Sequence, residues 1–221
     1  QRLSRGLGDV YKRQMIDSST IDVGSAQAVH EAAKSAGFNM IDAPVSGGVI
    51  GADAGTLTFM CGGDKESFEK AKPILQGMGK NIVHCGSGGL GQATKICNNM
   101  LAGINALAAA EAMTMGERLG VSPDILYEVI STSTGRSYIF ETSNPMPDVC
   151  STSPANNKFK PGFMAKLMLK DLRLSQAAAQ DAKTSTPLGA AATAAFQQLI
   201  DSGFGDLDTS SIIKVIKPEP K

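Results

Sequence analysis

The stretch from Gln92 to Leu119 holds no strong helix breaker, and it constrains the chain more than any other feature. Ile96, Met100, Ala108, Met113 and Met115 supply apolar positions along it, and the alanine-rich surroundings suit close helix packing. One long helix is predicted there, kinked at most around Gly103. The sequence reads differently on its two sides.

Before the long helix, short apolar runs alternate with helical spacing. Met15 to Ser18 reads as a strand, and Ile21 to Gly37 as a helix with Val23, Ala26, Val29, Ala32 and Ala33 on its apolar side. Phe38 to Ile41 is a second strand, followed by a turn-rich segment from Asp42 to Gly55. Thr56 to Cys61 is a third strand, Asp64 caps a helix to about Leu75, and Asn81 to Cys85 is one more strand. After the long helix only helices are expected, from Pro123 to Thr132, Phe163 to Ala182, Pro187 to Ser202 and Thr209 to Ile216. The fold class is therefore α/β with a partly parallel sheet, followed by an all-helical domain. Residues 15–88 form the first domain and 89–221 the second, with a hinge near Gly91 and a cleft expected beside the first turns of the long helix. Residues 1–14 are basic and aperiodic, are set apart as a leader foreign to the fold, and carry no functional assignment. The tail KPEPK is expected to fray.

Composition narrows the function classes. Lys plus Arg balances Asp plus Glu, 21 against 21, so no overall field draws in nucleic acid or an anionic membrane. Every apolar run is interrupted well short of the ~20 residues that a membrane-spanning helix needs. Cys61, Cys85, Cys97 and Cys150 fall singly and read as free buried thiols of a reducing compartment. With His30 and His84 the only histidines, neither a His-based triad nor a multi-His metal site is expected.

Several residues could carry chemistry. Lys95 and Asn99 lie four apart, one turn along the same helix face. A lysine partly desolvated in a cleft has its pKa lowered and can exchange a proton with a substrate hydroxyl, while the Asn99 amide holds that hydroxyl. The alternative is a surface lysine beside a solvent-facing amide. Ser46, Gly47 and Gly48 follow a strand and Pro44, so their N–H groups can converge on a carboxylate or phosphate; a plain chain reversal is the alternative. Thr20 lies just past a strand end, where open α/β sheets bind ligands, but Thr20 or Asp22 could equally serve only as a helix cap. Lys170 and Asp171 are a charged pair in an otherwise apolar helix, and an exposed face would explain them as well.

Taken together, the segments MIDSSTID, DAPVSGGVIGADAGTLTFMCGG, GQATKICNNM, SPANN and KDLRLSQ resemble the β-hydroxyacid dehydrogenase family from Met15 to the C-terminus. The resemblance implies the back part of a Rossmann-type dinucleotide-binding domain joined by a long helix to a helical C-terminal domain. It implies NAD as cofactor, with NADP as the alternative, and hydride transfer from a small β-hydroxy acid. The expected substrate is 3-hydroxyisobutyrate, oxidised to methylmalonate semialdehyde in valine catabolism; reduction of tartronate or succinate semialdehyde is the alternative. By the same resemblance Lys95 and Asn99 are catalytic, and Ser46, Gly47 and Gly48 receive the substrate carboxylate. Thr20, Lys170, Phe163 and Asp171 line the cofactor side.

The family's front G-x-G-x-x-G turn is not found in its expected place, and GSGGLG at Gly86 to Gly91 corresponds to the hinge rather than to a phosphate cradle. The chain is accordingly read as N-terminally truncated and inactive alone. The resemblance also implies a homodimer or homotetramer, with no nucleic-acid or membrane partner. The expected compartment is the mitochondrial matrix for a eukaryotic source and the cytoplasm for a bacterial one. A non-catalytic helical dimerisation module is the reading from another class, built on the Ala- and Met-rich helices alone.

Overall fold

The computed structural model describes residues 14–218, so the leader other than Gln14, and the end of the tail, lie outside the described residues. Two compact units, Gln1–Cys97 and Asn98–Lys221, divide within the long helix.

The first unit is a five-stranded mixed sheet with helices. Strand β1 (Met15–Asp17) runs parallel to β2 (Met40–Asp42), and helix α1 (Val23–Ser35) connects them. Asp22 caps α1 by accepting from the Ser25 N–H at 2.7 Å, and the hydrogen bonding from Ser25 holds its carboxyl below the usual range. After β3 (Val45–Ser46) and the short α2 (Gly48–Asp53) comes β4 (Leu57–Gly62), which runs antiparallel to β2 and β3. Helix α3 (Lys65–Leu75) is capped by Asp64, which accepts from the Ser67 N–H at 2.8 Å and from its hydroxyl at 2.6 Å. It leads to β5 (Gly79–Gly86), parallel to β4. Ile41, Phe59, Cys61, Phe68, Ala71 and Leu75 form this unit's buried core.

The expected strand and helix order is present. The segment from Asp42 to Gly55, expected as turns, instead holds β3 and α2. Glycine and proline mark the chain reversals correctly there, but Val45 and Ser46 are held extended by pairing with Phe59 and Thr58, a contact that local sequence does not carry.

Helix α4 (Leu90–Arg118) is a single α-helix of 29 residues. Gly103 marks a close approach within it: a methyl group at that position would lie 2.9 Å from Leu172 Cδ2 and 3.1 Å from Met168 Sδ. The second unit continues with α5 (Pro123–Ser131), α6 (Tyr138–Thr142), a 3-10 turn at Pro154–Asn157, α7 (Ala165–Asp181) and α8 (Pro187–Leu199). A π-turn at Ile200–Phe204, a 3-10 turn at Thr209–Ile212 and α9 (Ile213–Ile216) complete it. Two expected helices are corrected by this. The one expected from Phe163 begins at Ala165, and the one expected from Thr209 opens as 3-10, because Asp208 binds the Gly162, Phe163 and Ser210 N–H groups and fixes both chain entries. Met113, Leu172, Phe196, Leu199 and Ile212 are completely buried in this unit's core.

Phe196 has no solvent exposure, whereas Tyr138 is 73% exposed. Phe196→Ala is expected to lower the unfolding free energy by about 3–5 kcal/mol through loss of buried surface and the cavity left behind. Tyr138→Ala is expected to stay within about 0.5 kcal/mol. Urea titration of both variants checks the contrast.

Candidate active site

In the first unit the sheet's most consequential polar group is Asp42, at the end of β2 and fully buried. Its Oδ1 accepts from the Gly89 N–H at 2.8 Å, and its Oδ2 from the Gln92 N–H at 2.9 Å. These are the donors at the start of α4 that the helix itself cannot satisfy, so Asp42 caps that helix from 47 residues upstream. His30 Nε2 lies 2.8 Å from the same Oδ1 and must carry the hydrogen to bond a carboxylate. Gly62 and Gly91 crowd the carboxylate so closely that a methyl group on either would collide with it.

Gln92 passes this anchoring on. It is fully buried; its amide donates to the Ser19 carbonyl at 2.7 Å and accepts from the Ile21 N–H at 3.2 Å. Those two bonds bracket Thr20. Because Asp22 is the cap of α1, capping does not account for Thr20, which is half-buried just past the end of β1. The Asp42 contacts also settle the reading of GSGGLG: its Gly89 N–H points at a buried carboxylate, which repels an anion, so this turn does not cradle phosphate.

Lys95 lies one turn beyond Gln92 on α4 and is 8% exposed, so the surface-lysine alternative is excluded. Ser46 ends β3 and is partly buried; Gly47 and Gly48 are exposed, with φ of 133° and 59°. Gly47 precedes the first turn of α2, whose leading N–H groups have no helical carbonyl to meet. A hollow of about 710 Å³ is lined by His30, Lys34, Asn39 and Asp64, among others, and includes none of the site residues expected from sequence.

In the second unit Asn99 is buried and donates to Asp171 Oδ2 at 2.5 Å, while its carbonyl accepts from Asn98 at 3.0 Å. Asp171 is itself buried, which overturns the exposed-face alternative for this half of the charged pair; Lys170 is half-exposed and its amine lies 3.1 Å from Asp171 Oδ1. Phe163 is partly buried against the helical core, its N–H held by Asp208 at 3.0 Å. Among the described residues, no cluster of His, Cys, Asp and Glu is placed to hold a metal ion, and no helix is long and apolar enough to cross a membrane.

Two family profiles cover almost the whole chain. Residues 8–86 match the NAD binding domain of 6-phosphogluconate dehydrogenase, and residues 89–216 the NAD-binding domain of NADP-dependent 3-hydroxyisobutyrate dehydrogenase. A 3-hydroxyisobutyrate dehydrogenase of Pseudomonas aeruginosa is 46% identical over 208 residues, which is 93% of this chain and 70% of that protein. The chain belongs to the 3-hydroxyisobutyrate dehydrogenase family. This is the β-hydroxyacid dehydrogenase grouping read from the sequence, and it brings with it the oxidoreductase class and the NAD(P) cofactor. Another family member, the NAD-dependent L-serine dehydrogenase of Pseudomonas aeruginosa, is 44% identical over 92% of this chain and 68% of its own length. The solved 3-hydroxyisobutyrate dehydrogenase of Mycobacterium tuberculosis with L-serine superposes at a TM-score of 0.87, with 44% identity over 93% of this chain and 71% of that one. The sheet-then-helices architecture is thus that of the family.

Sequence reasoning passed over Asp42, Gln92 and His30. Asp42 looks like an ordinary turn residue, and its partners are remote in the chain; a buried-strand run ending on an acid, MID, was the available signal. Of the four cysteines expected to be buried, Cys61 and Cys150 are, whereas Cys85 is only partly buried and Cys97 is exposed. Cys61 is buried near Asp42, and burial, aided by Cys85 and Asp42, pushes its thiol up from 9.0 to about 12. The stability gained from the protonated thiol is present below 9.0 and is lost as pH rises toward 12. Iodoacetamide at about pH 8, where Cys61 carries almost no thiolate, is therefore expected to label Cys97 and spare Cys61. Peptide mapping by mass spectrometry reads this directly, and equal labelling would contradict it.

Proposed function

We propose that the full-length protein to which this chain belongs oxidises a small β-hydroxy acid, with 3-hydroxyisobutyrate as substrate and methylmalonate semialdehyde as product. The observation that carries the proposal is the burial of Lys95 at the start of α4, within the segment GQATKICNNM. An amine screened from bulk water exchanges its proton with what is bound beside it. The residues present fit the nicotinamide end of the cofactor, since Thr20 is bracketed by the Gln92 bonds at a strand end where such folds bind dinucleotides.

When bound, the nicotinamide supplies the hydride acceptor. Lys95, as a neutral amine, takes the hydroxyl proton as the carbinol carbon gives up its hydride, so the C–O bond becomes a carbonyl and Lys95 becomes an ammonium. Asn99, a turn further along α4, is assigned to orient the hydroxyl, and its bond to Asp171 fixes the amide for that task. Ser46, Gly47 and Gly48 are assigned to the substrate carboxylate; both glycines have positive φ, a conformation open to glycine that lets a backbone approach a ligand closely. Thr20, Lys170, Phe163 and Asp171 are assigned to the cofactor side. We further propose a homodimer or homotetramer, and residence in the mitochondrial matrix or the bacterial cytoplasm according to source.

A second reading, oxidation of L-serine, is favoured by the L-serine dehydrogenase relative and by the serine-bound solved structure. L-Serine and 3-hydroxyisobutyrate place hydroxymethyl and carboxylate identically and differ only in an ammonium against a methyl at the carbon between them. The same lysine and glycine turn therefore serve both. In the full-length protein Lys95→Ala is expected to lower kcat at least ~100-fold for either substrate; turnover near the parent level would remove the assignment. Comparing kcat/KM for 3-hydroxyisobutyrate, L-serine and the reverse reduction of tartronate and succinate semialdehydes decides among the substrates.

A further inference from the structure

Asp42 makes no contact that the proposed chemistry calls for, yet it is fully buried and accepts hydrogen bonds on both oxygens. A buried carboxylate is costly unless its partners are fixed, so Gly89, Gln92 and His30 are held where its oxygens require them. Lys95 sits one turn from the Gln92 N–H on a continuous helix, and a helix transmits the position of its first turn to the next as a rigid body. Gln92 carries the same constraint sideways to Ser19 and Ile21.

We propose that Asp42, with Gln92, is a positioning residue for Lys95: the buried carboxylate sets where α4 starts, and so where the proton-handling amine stands relative to the Thr20 segment. Gly62 and Gly91 belong to this device, because any side chain there would displace the carboxylate. The inference rests on the reading of Lys95 as the proton carrier.

The test is a double-mutant cycle in the full-length protein, with kcat and KM read by NAD(P)H fluorescence at saturating cofactor and folding followed by thermal melting. Asp42→Asn keeps the shape of the side chain but turns an NH2 group toward a donor that needs an acceptor. It is expected to lower kcat by ~10–100-fold, the scale of a misplacement of about an ångström, with KM for the hydroxy acid changed less than about threefold. A merely structural role would lower the melting temperature and leave the kcat of folded molecules intact. In a Lys95→Ala background the Asp42→Asn loss is expected to shrink below about threefold, because the group it positions is gone.

A folded Asp42→Asn protein with parental kcat, or a loss that multiplies in full onto that of Lys95→Ala, overturns the proposal. If Asp42→Asn does not fold, Gln92→Met is read through the same cycle by the same criteria. Failure of the parent reading is distinct: Lys95→Ala alone then retains turnover, and the positioning role falls with it.

Discussion

A carboxylate shut away from water must be met by donors, and in this chain the donors that meet Asp42 are the opening N–H groups of the longest helix. That requirement ties the end of β2 to the start of α4, and through Gln92 it ties both to the segment after β1. Removing one partner of a buried ionic group typically costs about 3–5 kcal/mol, a large share of the stability of any domain. The joint is therefore a structural necessity before it is a functional one. The candidate catalytic amine inherits its position from it.

The Asp42 joint of the first unit and the Asn99 cluster of the second hold their polar residues differently. In the first, backbone groups do most of the holding: Asp42 is bound by N–H groups, and Gln92 by a carbonyl and an N–H. In the second unit, Asp208 is likewise met by backbone N–H groups, but around Asn99 side chains hold one another, as Asn98 bonds Asn99, Asn99 bonds Asp171 and Lys170 pairs with Asp171. Backbone partners cannot change rotamer, so the first arrangement is the stiffer. Lys170, half-exposed, is the least confined member of the second.

The architecture was legible because it is written in periodicity. Alternating short strands and helices up to Cys85, a breaker-free run after Gln92 and proline-initiated helices beyond it all correspond to elements of the fold. What was not legible depends on distance along the chain. The pairing of Val45 with Phe59, the capping of α4 by Asp42 and the seating of Phe163 by Asp208 each join residues too far apart for local pattern to register. Lys95 itself showed the limit plainly: its spacing to Asn99 fits a solvent-facing helix as well as a buried one, and only the packing of α4 decides between them.

The six letters GSGGLG meet the spacing of a dinucleotide fingerprint in full, and they occur in a chain that does belong to a dinucleotide-using family. A pattern search would mark them as the cofactor loop and would err, since the negative charge that disqualifies them is contributed by a residue more than forty positions earlier. Glycine spacing reports only that a backbone can come close to something. Whether that something is a ligand or the protein's own acid is decided elsewhere in the sequence, so fingerprints of this kind carry meaning only when the owner of the opposite charge has been found.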